Sequence, residues 1–298
     1  MNFHSNDLHK NRMKVRIGII TRNRASILPK AIDSALAQDH PDKEVVVYDI
    51  ASTDGTPAIV SRYPEVQWLR SEKRLDMISP KNHLMSNSDA DFYFSLDDDA
   101  WFLTSDQLSA GVEIMRQNPD VAILAYDIVL PGETFREQKQ DPVQTHVFVA
   151  CGALLRRSAL EEVGYYHGCP AMYGGGEETD LCLKLLDAGY RTLLWPGQHV
   201  YHERTSVGRD LFDQHRSMMC NQLGYLVMRC PLPLLLCHFP WRITSQFIFS
   251  LKMVHLKAYL SGMGILARSI GKLFASRSPV SCSTYVKHFR MSRQTAAR

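Results

Sequence analysis

Three adjacent carboxylates, Asp97-Asp98-Asp99, follow directly on the apolar run Phe92-Tyr93-Phe94-Ser95-Leu96. At the C-terminal end of a strand in an open α/β sheet they stand where such sheets bind ligands, and side by side they repel one another unless a cation neutralises them. A few oxygen ligands suit Mg²⁺ or Mn²⁺ shared with a diphosphate. A solvated acidic turn before Trp101 is the other reading of the same residues. Further on, Glu177-Glu178-Thr179-Asp180 follow the glycine run Gly174–Gly176 and open an amphipathic segment. A carboxylate there can take a proton from a substrate, although the helix dipole alone also favours acids at an N-terminus. The run Gln198-His199-Val200-Tyr201-His202 ends in an imidazole able to complete an oxygen-rich metal site. Near the N-terminus, Thr21-Arg22-Asn23-Arg24 and Asp49 lie at the ends of the first two strand-like runs, the edge where a nucleotide binds.

The elements that must position these groups are visible as β-rich runs alternating with amphipathic segments, the pattern of βα units around a largely parallel sheet. Strands are expected at Val15–Ile20, Glu44–Ile50, Val66–Arg70, Asp91–Leu96 and Val121–Ile128. Helical spacing of apolar residues runs from Ile27 to Leu36 and, less cleanly, from Leu108 to Met115. After these, Pro131–Pro142 is loop-like, Thr145–Leu155 strand-like, and Ser158–Val163 a short helix ended by Gly164. A second helix follows the glycine run, carries Leu181, Leu183, Leu185 and Leu186, and stops at Gly189. Beyond about Arg209 no strand is expected; Ile243, Phe247, Leu251, Val254 and Ala258 form one apolar stripe, with a break at Gly262 and Gly264. The expected division is an N-terminal tail over 1–13, a catalytic domain over 14–209 and a helical basic region over 210–298.

The ordered motifs IGIITRNRASILPKAIDSALAQ, VVVYDIASTDGT, SLDDDA, CGALLRRSALEEVGYY, GGGEETDLCLKLLDAGYR and PGQHVYHERTS cover roughly residues 15–206. In that order and at about that spacing the chain resembles a family 2 glycosyltransferase with the GT-A, Rossmann-like, mostly parallel fold. The resemblance implies that Thr21 and Asp49 contact the nucleotide base and that Asp97-Asp98-Asp99 form the DxD element. In it Asp97 faces the ribose or sugar and Asp99 binds a divalent metal, Mg²⁺ or Mn²⁺. Lys81 and Asn82 stand where the family commonly has Arg-Asn near the donor, and His202 matches a late histidine that joins the metal or diphosphate. Glu178, or its neighbour Glu177, takes the place of the catalytic base. Ile20, Arg22, Ile50, Ala51 and Glu178 depart from the commonest pattern; the planar Arg22 guanidinium can stack on a base where an aromatic residue is usual. The implied reaction is an inverting transfer from a UDP- or dTDP-linked sugar to a glycan or lipid-linked acceptor in cell-surface polysaccharide synthesis. A non-catalytic nucleotide-sugar or carbohydrate-binding relative is the alternative. A nucleotidyltransferase is disfavoured, because Ile20–Lys30 contains no glycine.

With 298 residues, 45% hydrophobic and 22% charged, the chain is neither disordered nor collagen-like. Its +3 net charge is unevenly spread: residues 221–298 hold eleven bases and no acid, leaving the first 220 residues at −8. Bases interleaved with leucines and aromatics suit a peripheral contact with an anionic membrane surface, or a helical subdomain whose bases simply face solvent. No nucleic-acid module accompanies the charge, so no nucleic-acid partner is expected. Seven cysteines lack any CxxC pairing and read as reduced, with no zinc site or disulfide framework. The polar N-terminus lacks the apolar core of a signal peptide, and no uninterrupted apolar run is long enough to span a bilayer. A cytoplasmic location is therefore expected, with attachment at the cytoplasmic face of the inner membrane if the basic region docks.

Overall fold

The computed structural model describes residues 13–133, 140–168, 170–171, 174–205, 210–253 and 255–296. Its first half alternates β1 (Val15–Thr21), α1 (Leu28–Leu36), β2 (Lys43–Ile50), β3 (Gln67–Ser71), α2 (Ser79–Ser86) and β4 (Phe92–Asp97). Then come β5 (Ala100–Phe102), α3 (Gln107–Gln117), β6 (Val121–Val129), β7 (Val143–Thr145), β8 (Gly152–Arg156), α4 (Arg157–Val163), α5 (Glu177–Asp187) and β9 (Arg191–His202). Four helices complete the chain: α6 (Leu211–Arg229), α7 (Leu232–Lys252), α8 (Leu256–Ala275) and α9 (Cys282–Ala296).

One sheet runs in the order β3-β2-β1-β4-β8-β6-β9-β5, with β7 paired to β9. The β3-β2-β1-β4 half is parallel, as its near-continuous apolar runs require. Beyond β4 the sheet is mixed, because β8 enters antiparallel between β4 and β6. The β6–β9 pair is parallel again, so the expected mostly parallel sheet is interrupted only by the antiparallel members β8, β5 and β7. Side chains alternate across β4: Phe92, Phe94 and Leu96 join a core with Leu28 and Ile32 of α1 and Leu108 and Met115 of α3. Tyr93 points the other way, into a core with Leu84 and Met85 of α2, Leu160 of α4 and Leu181 and Leu185 of α5.

Three expectations are corrected. The strand expected over Thr145–Leu155 forms only from Gly152, as β8 on β4; β7 ends at Thr145 on a different partner, β9, and the stretch between is irregular. Helix α2 went unread, since its start is Ser79-Pro80 and its apolar residues are few; proline at the first turn is compatible with a helix, whose N–H would be unbonded there anyway. Third, Gly262 and Gly264 do not break the C-terminal stripe. The break falls between α7 and α8, and α8 runs through both glycines. Gly262 is required by packing: a Cβ there would lie 2.7 Å from the Arg216 carbonyl oxygen, so glycine lets α8 approach α6 closely. Part of the Pro131–Pro142 loop, residues 134–139, lies outside the described residues.

Candidate active site

The parallel strands end along one edge, and there the candidate residues meet. β4 finishes at Asp97, and the chain turns through Asp98-Asp99 into β5, whose Ala100 pairs with His202 at the end of β9. A two-residue turn and one antiparallel pairing therefore bring a histidine from more than a hundred residues away onto the acidic cluster. His202 Nε2 lies 3.2 Å from Asp99 Oδ1 and 3.9 Å from Asp97 Oδ2. It is buried and has no hydrogen-bond partner. On the other side of the ring, Nδ1 is 3.4 Å from Cys151 Sγ. Ligand atoms of Asp97, Cys151 and His202 lie within 4.8 Å of one another, and the Asp97 and Asp99 carboxylates with the imidazole Nε2 are a donor set that fits a divalent cation. The orphaned, buried imidazole nitrogen between two carboxylates carries that fit.

Asp98 turns away from this cluster, its Oδ1 3.7 Å from Arg24 Nε. Burial raises its pKa to about 7 against the opposing pull of Arg24, with the neighbouring Asp99 adding to the rise. Thr21, Arg22, Arg24, Lys81, Asp97, Asp98, Asp99, Glu177, Glu178 and His202 all line one cavity of about 370 Å³, a size typical of small-molecule sites.

The two glutamates differ. Glu177 folds back on the glycine run: its Oε2 accepts the Gly175 N–H and its Oε1 is 4.0 Å from Lys81 Nζ. The run is glycine for steric reasons. A Cβ on Gly174 would sit 2.2 Å from Glu177 Oε1, and Gly175, at φ +136°, passes 2.7 Å from the Met218 Cα by the same construction. Glu178 is left facing the cavity. Burial lifts its pKa to about 7, Glu177 pushes it further and Lys81 opposes. For Lys81, burial disfavours the charge, but Glu177, Glu178 and Asp97 outweigh it and hold the ammonium above its ordinary value.

Three expected site residues do not reach the cavity wall. Asp49 is fully buried, accepting from Arg70 at 2.8 Å and from the Ser52 N–H at 2.8 Å. Asn23 accepts the Thr53 N–H at 2.8 Å, and Asn82 clasps the Tyr166 backbone through both its amide atoms. All three brace the loops that form the rim. Conversely, Cys151 went unrecognised. Its signal was its place immediately before Gly152, which pairs with Leu96, so any residue there must sit beside Asp97. Asp210, Gln214 and Met218 of α6 also line the cavity, so the C-terminal helices help to close it.

Known proteins share this architecture. S. aureus TarS 1-349 in complex with UDP-GlcNAc superposes with a TM-score of 0.62 at 16% identity, covering 89% of this chain and 84% of that one. The mannosyltransferase PcManGT from Pyrobaculum calidifontis, in complex with GDP-Man and Mn²⁺, gives 0.60 at 18% identity over 96% and 81%. GalNAc-T7 with UDP, GalNAc and Mn²⁺ gives 0.59 at 14% identity over 74% and 49%. A comparison with curated proteins finds no match. Two family models do match, "Glycosyl transferase family 2" over residues 16–164 and "Glycosyl transferase family group 2" over residues 94–270. With the sheet, the strand-ending aspartates and these matches together, the chain belongs to glycosyl transferase family 2.

Proposed function

We propose that this glycosyltransferase moves a sugar, with inversion, from a UDP- or dTDP-linked donor to a glycan or lipid-linked acceptor in cell-surface polysaccharide synthesis. The observation that carries this reading is the separation of labour in one cavity: an aspartate–histidine cluster on one side and Glu178 on the other. Glu178 accepts the proton of an acceptor hydroxyl as that oxygen attacks the anomeric carbon; the bond from that carbon to the diphosphate oxygen breaks, and its electron pair leaves with the nucleoside diphosphate. Asp97, Asp99 and His202, with Cys151 beside them, would hold a divalent cation. When bound, Mg²⁺ or Mn²⁺ neutralises charge on the leaving diphosphate. Arg22, Arg24 and Lys81 supply fixed positive charge to the donor's phosphates and base. The Mn²⁺ in the PcManGT and GalNAc-T7 complexes, and the nucleotides in all three neighbours, support this assignment. We place the catalytic unit at residues 14–209 and the helical region at 210–298. Its bases would hold the enzyme peripherally at the cytoplasmic face of a membrane; among the described residues no helix is long and apolar enough to cross one.

The test is release of nucleoside diphosphate from a panel of UDP-, dTDP-, GDP- and CMP-linked sugars, with and without Mn²⁺ or Mg²⁺. Metal-dependent release from one donor, lost in both Asp99→Asn and Glu178→Gln, is expected. Silence across the panel with no metal-dependent donor binding would overturn the reading.

A further inference from the structure

Helix α7 exposes far more apolar surface than a surface helix in water needs. Its buried side carries Leu235 with Gln246 and Ser250, Phe239 and Ile243 pack half-buried on the neighbouring core, and its Arg242 turns inward to donate to Gln222 Oε1 at 2.8 Å. Its exposed side carries Leu232, Leu236, Trp241, Phe247, Ile248 and Leu251. At about 100° per residue these six fall within one half of the helix circumference, while exposed Phe249 stands on the opposite flank. Leu236 is 71% exposed and Trp241 54%, values that belong to side chains standing clear of the fold. No charged residue interrupts this face, because the only charges on α7 are the inward Arg242 and Lys252 at its C-terminal end. Scattered exposed leucines need no explanation, whereas a contiguous apolar face with aromatics along a 21-residue helix does.

The charge that follows this face in the chain selects its occupant. Exposed Lys252, Lys257, Arg268 and Lys272 follow it in the chain, and residues 221–298 contain no acid to pair with them. A second copy docked through α7 would bring two acid-free, basic C-terminal regions together with no acid in either to pair with the bases. A surface that is anionic at the headgroups and apolar beneath satisfies both features at once.

We infer that α7 lies in the plane of an anionic bilayer, with its Leu232-to-Leu251 face sunk to the boundary between headgroups and acyl chains. This deepens the peripheral contact proposed above and rests, for the nature of the acceptor, on the transferase reading. The docked helix is one layer from the chemistry. Arg242 and Gln246 of α7 both donate to Gln222 of α6, and Gln222 packs on Gly176, where a Cβ would lie 3.2 Å from its Cγ. Gly176 directly precedes Glu177 and Glu178. Docking therefore sets the base-bearing loop close to the membrane surface, where an acceptor carried on a lipid would be presented.

The experiment uses the full chain with vesicles of phosphatidylcholine alone and of phosphatidylcholine mixed with phosphatidylglycerol. Co-sedimentation with the mixed vesicles, weakened by salt, is expected. The Phe247→Ser/Ile248→Ser variant, altered only at exposed positions, should lose at least tenfold in vesicle affinity. It should keep the wild-type circular dichroism and the same nucleoside diphosphate release from a soluble donor. Wild-type protein that ignores the anionic vesicles, a variant that binds them as well as wild type, or a dimer in solution that the variant abolishes would each overturn the inference. Vesicle binding with neither nucleoside diphosphate release nor metal-dependent donor binding would leave the membrane face standing and remove the proposed transfer reaction, so the two failures are distinguishable.

Discussion

His202 Nε2 approaches Asp99 Oδ1 to 3.2 Å without a hydrogen bond between them. An imidazole nitrogen aimed at carboxylates but bonded to neither suits a lone pair directed at a cation that all of them share. Replacing His202 with Ala should therefore weaken Mn²⁺ binding, measured by the loss of the free Mn²⁺ electron paramagnetic resonance signal on titration with protein. Asp99→Asn should weaken it more, because it removes charge as well as a ligand. Mn²⁺ affinity equal to wild type in both variants would place the cation elsewhere.

Cys151 stands behind the same imidazole. Burial, with Asp97 and Asp99 nearby, drives its pKa far above the usual thiol range, so it is a neutral thiol at physiological pH. With Nε2 on a cation, Nδ1 carries the proton and points at Sγ 3.4 Å away, fixing the ring's tautomer and tilt. Cys151→Ala should cost about 10–100-fold in Mn²⁺ affinity, the usual worth of such outer partners. Cys151→Ser, which keeps an acceptor, should restore most of it. Equal losses in Ala and Ser variants would instead make the sulfur itself a ligand.

Glu178 should set the pH dependence of turnover. Its pKa is raised to about 7, so it is protonated and unable to accept a proton below that value. Turnover should rise with pH through about 7 and then level off, and Glu178→Gln should lower it by about 10²–10⁴. The same shift acts on stability with the opposite sign. Between the ordinary 4.5 and about 7 the folded chain holds a proton that the unfolded chain has released, so this group's contribution to stability falls as pH rises through that window. Glu178→Gln should remove that slope from a denaturation series taken across pH.

Much of this was legible in the sequence, and the reasons differ by element. Strands β1, β2, β4 and β6 announce themselves because strands buried on both faces need unbroken apolar runs. Asp97, Asp99 and Glu178 are legible because their place at strand or helix ends follows from local pattern alone. Cys151 was not, since its role depends on β8 entering antiparallel beside β4, a long-range pairing that no local spacing encodes. Nor was the inward turn of Asp49, which needs Arg70 from the neighbouring strand to neutralise it. The contribution of α6 to the cavity wall is likewise a matter of tertiary packing.

Ala51 holds a left-handed backbone conformation, φ +61°, at the turn after β2. A Cβ in that region costs roughly 1–2 kcal/mol, while the extra freedom of glycine in the unfolded chain costs about 0.4–1. Ala51→Gly should therefore stabilise the fold by about 0.5–1 kcal/mol, read from the midpoint of urea denaturation. Destabilisation instead would mean that the methyl group makes packing contacts worth more than the strain.

A buried ion pair ties the C-terminal helices to α5, Arg229 Nε of α6 donating to Asp180 Oδ1 at 2.6 Å. Both side chains are nearly inaccessible, and Arg229 also donates to the Ser278 carbonyl at 3.1 Å. Removing one partner strands the other charge in the interior, so Asp180→Leu should cost about 3–5 kcal/mol in urea denaturation. Asp180→Leu combined with Arg229→Met should recover most of that loss, because an apolar pair of similar volume escapes the desolvation of both ions. The position gives the experiment a second readout. Asp180 lies two residues beyond Glu178 on the same helix, so the single variant should also slow turnover by shifting the α5 N-terminus, while the double variant restores it. Recovery of stability without recovery of turnover would mean that the ion pair itself, and not merely a filled interface, sets the position of the base.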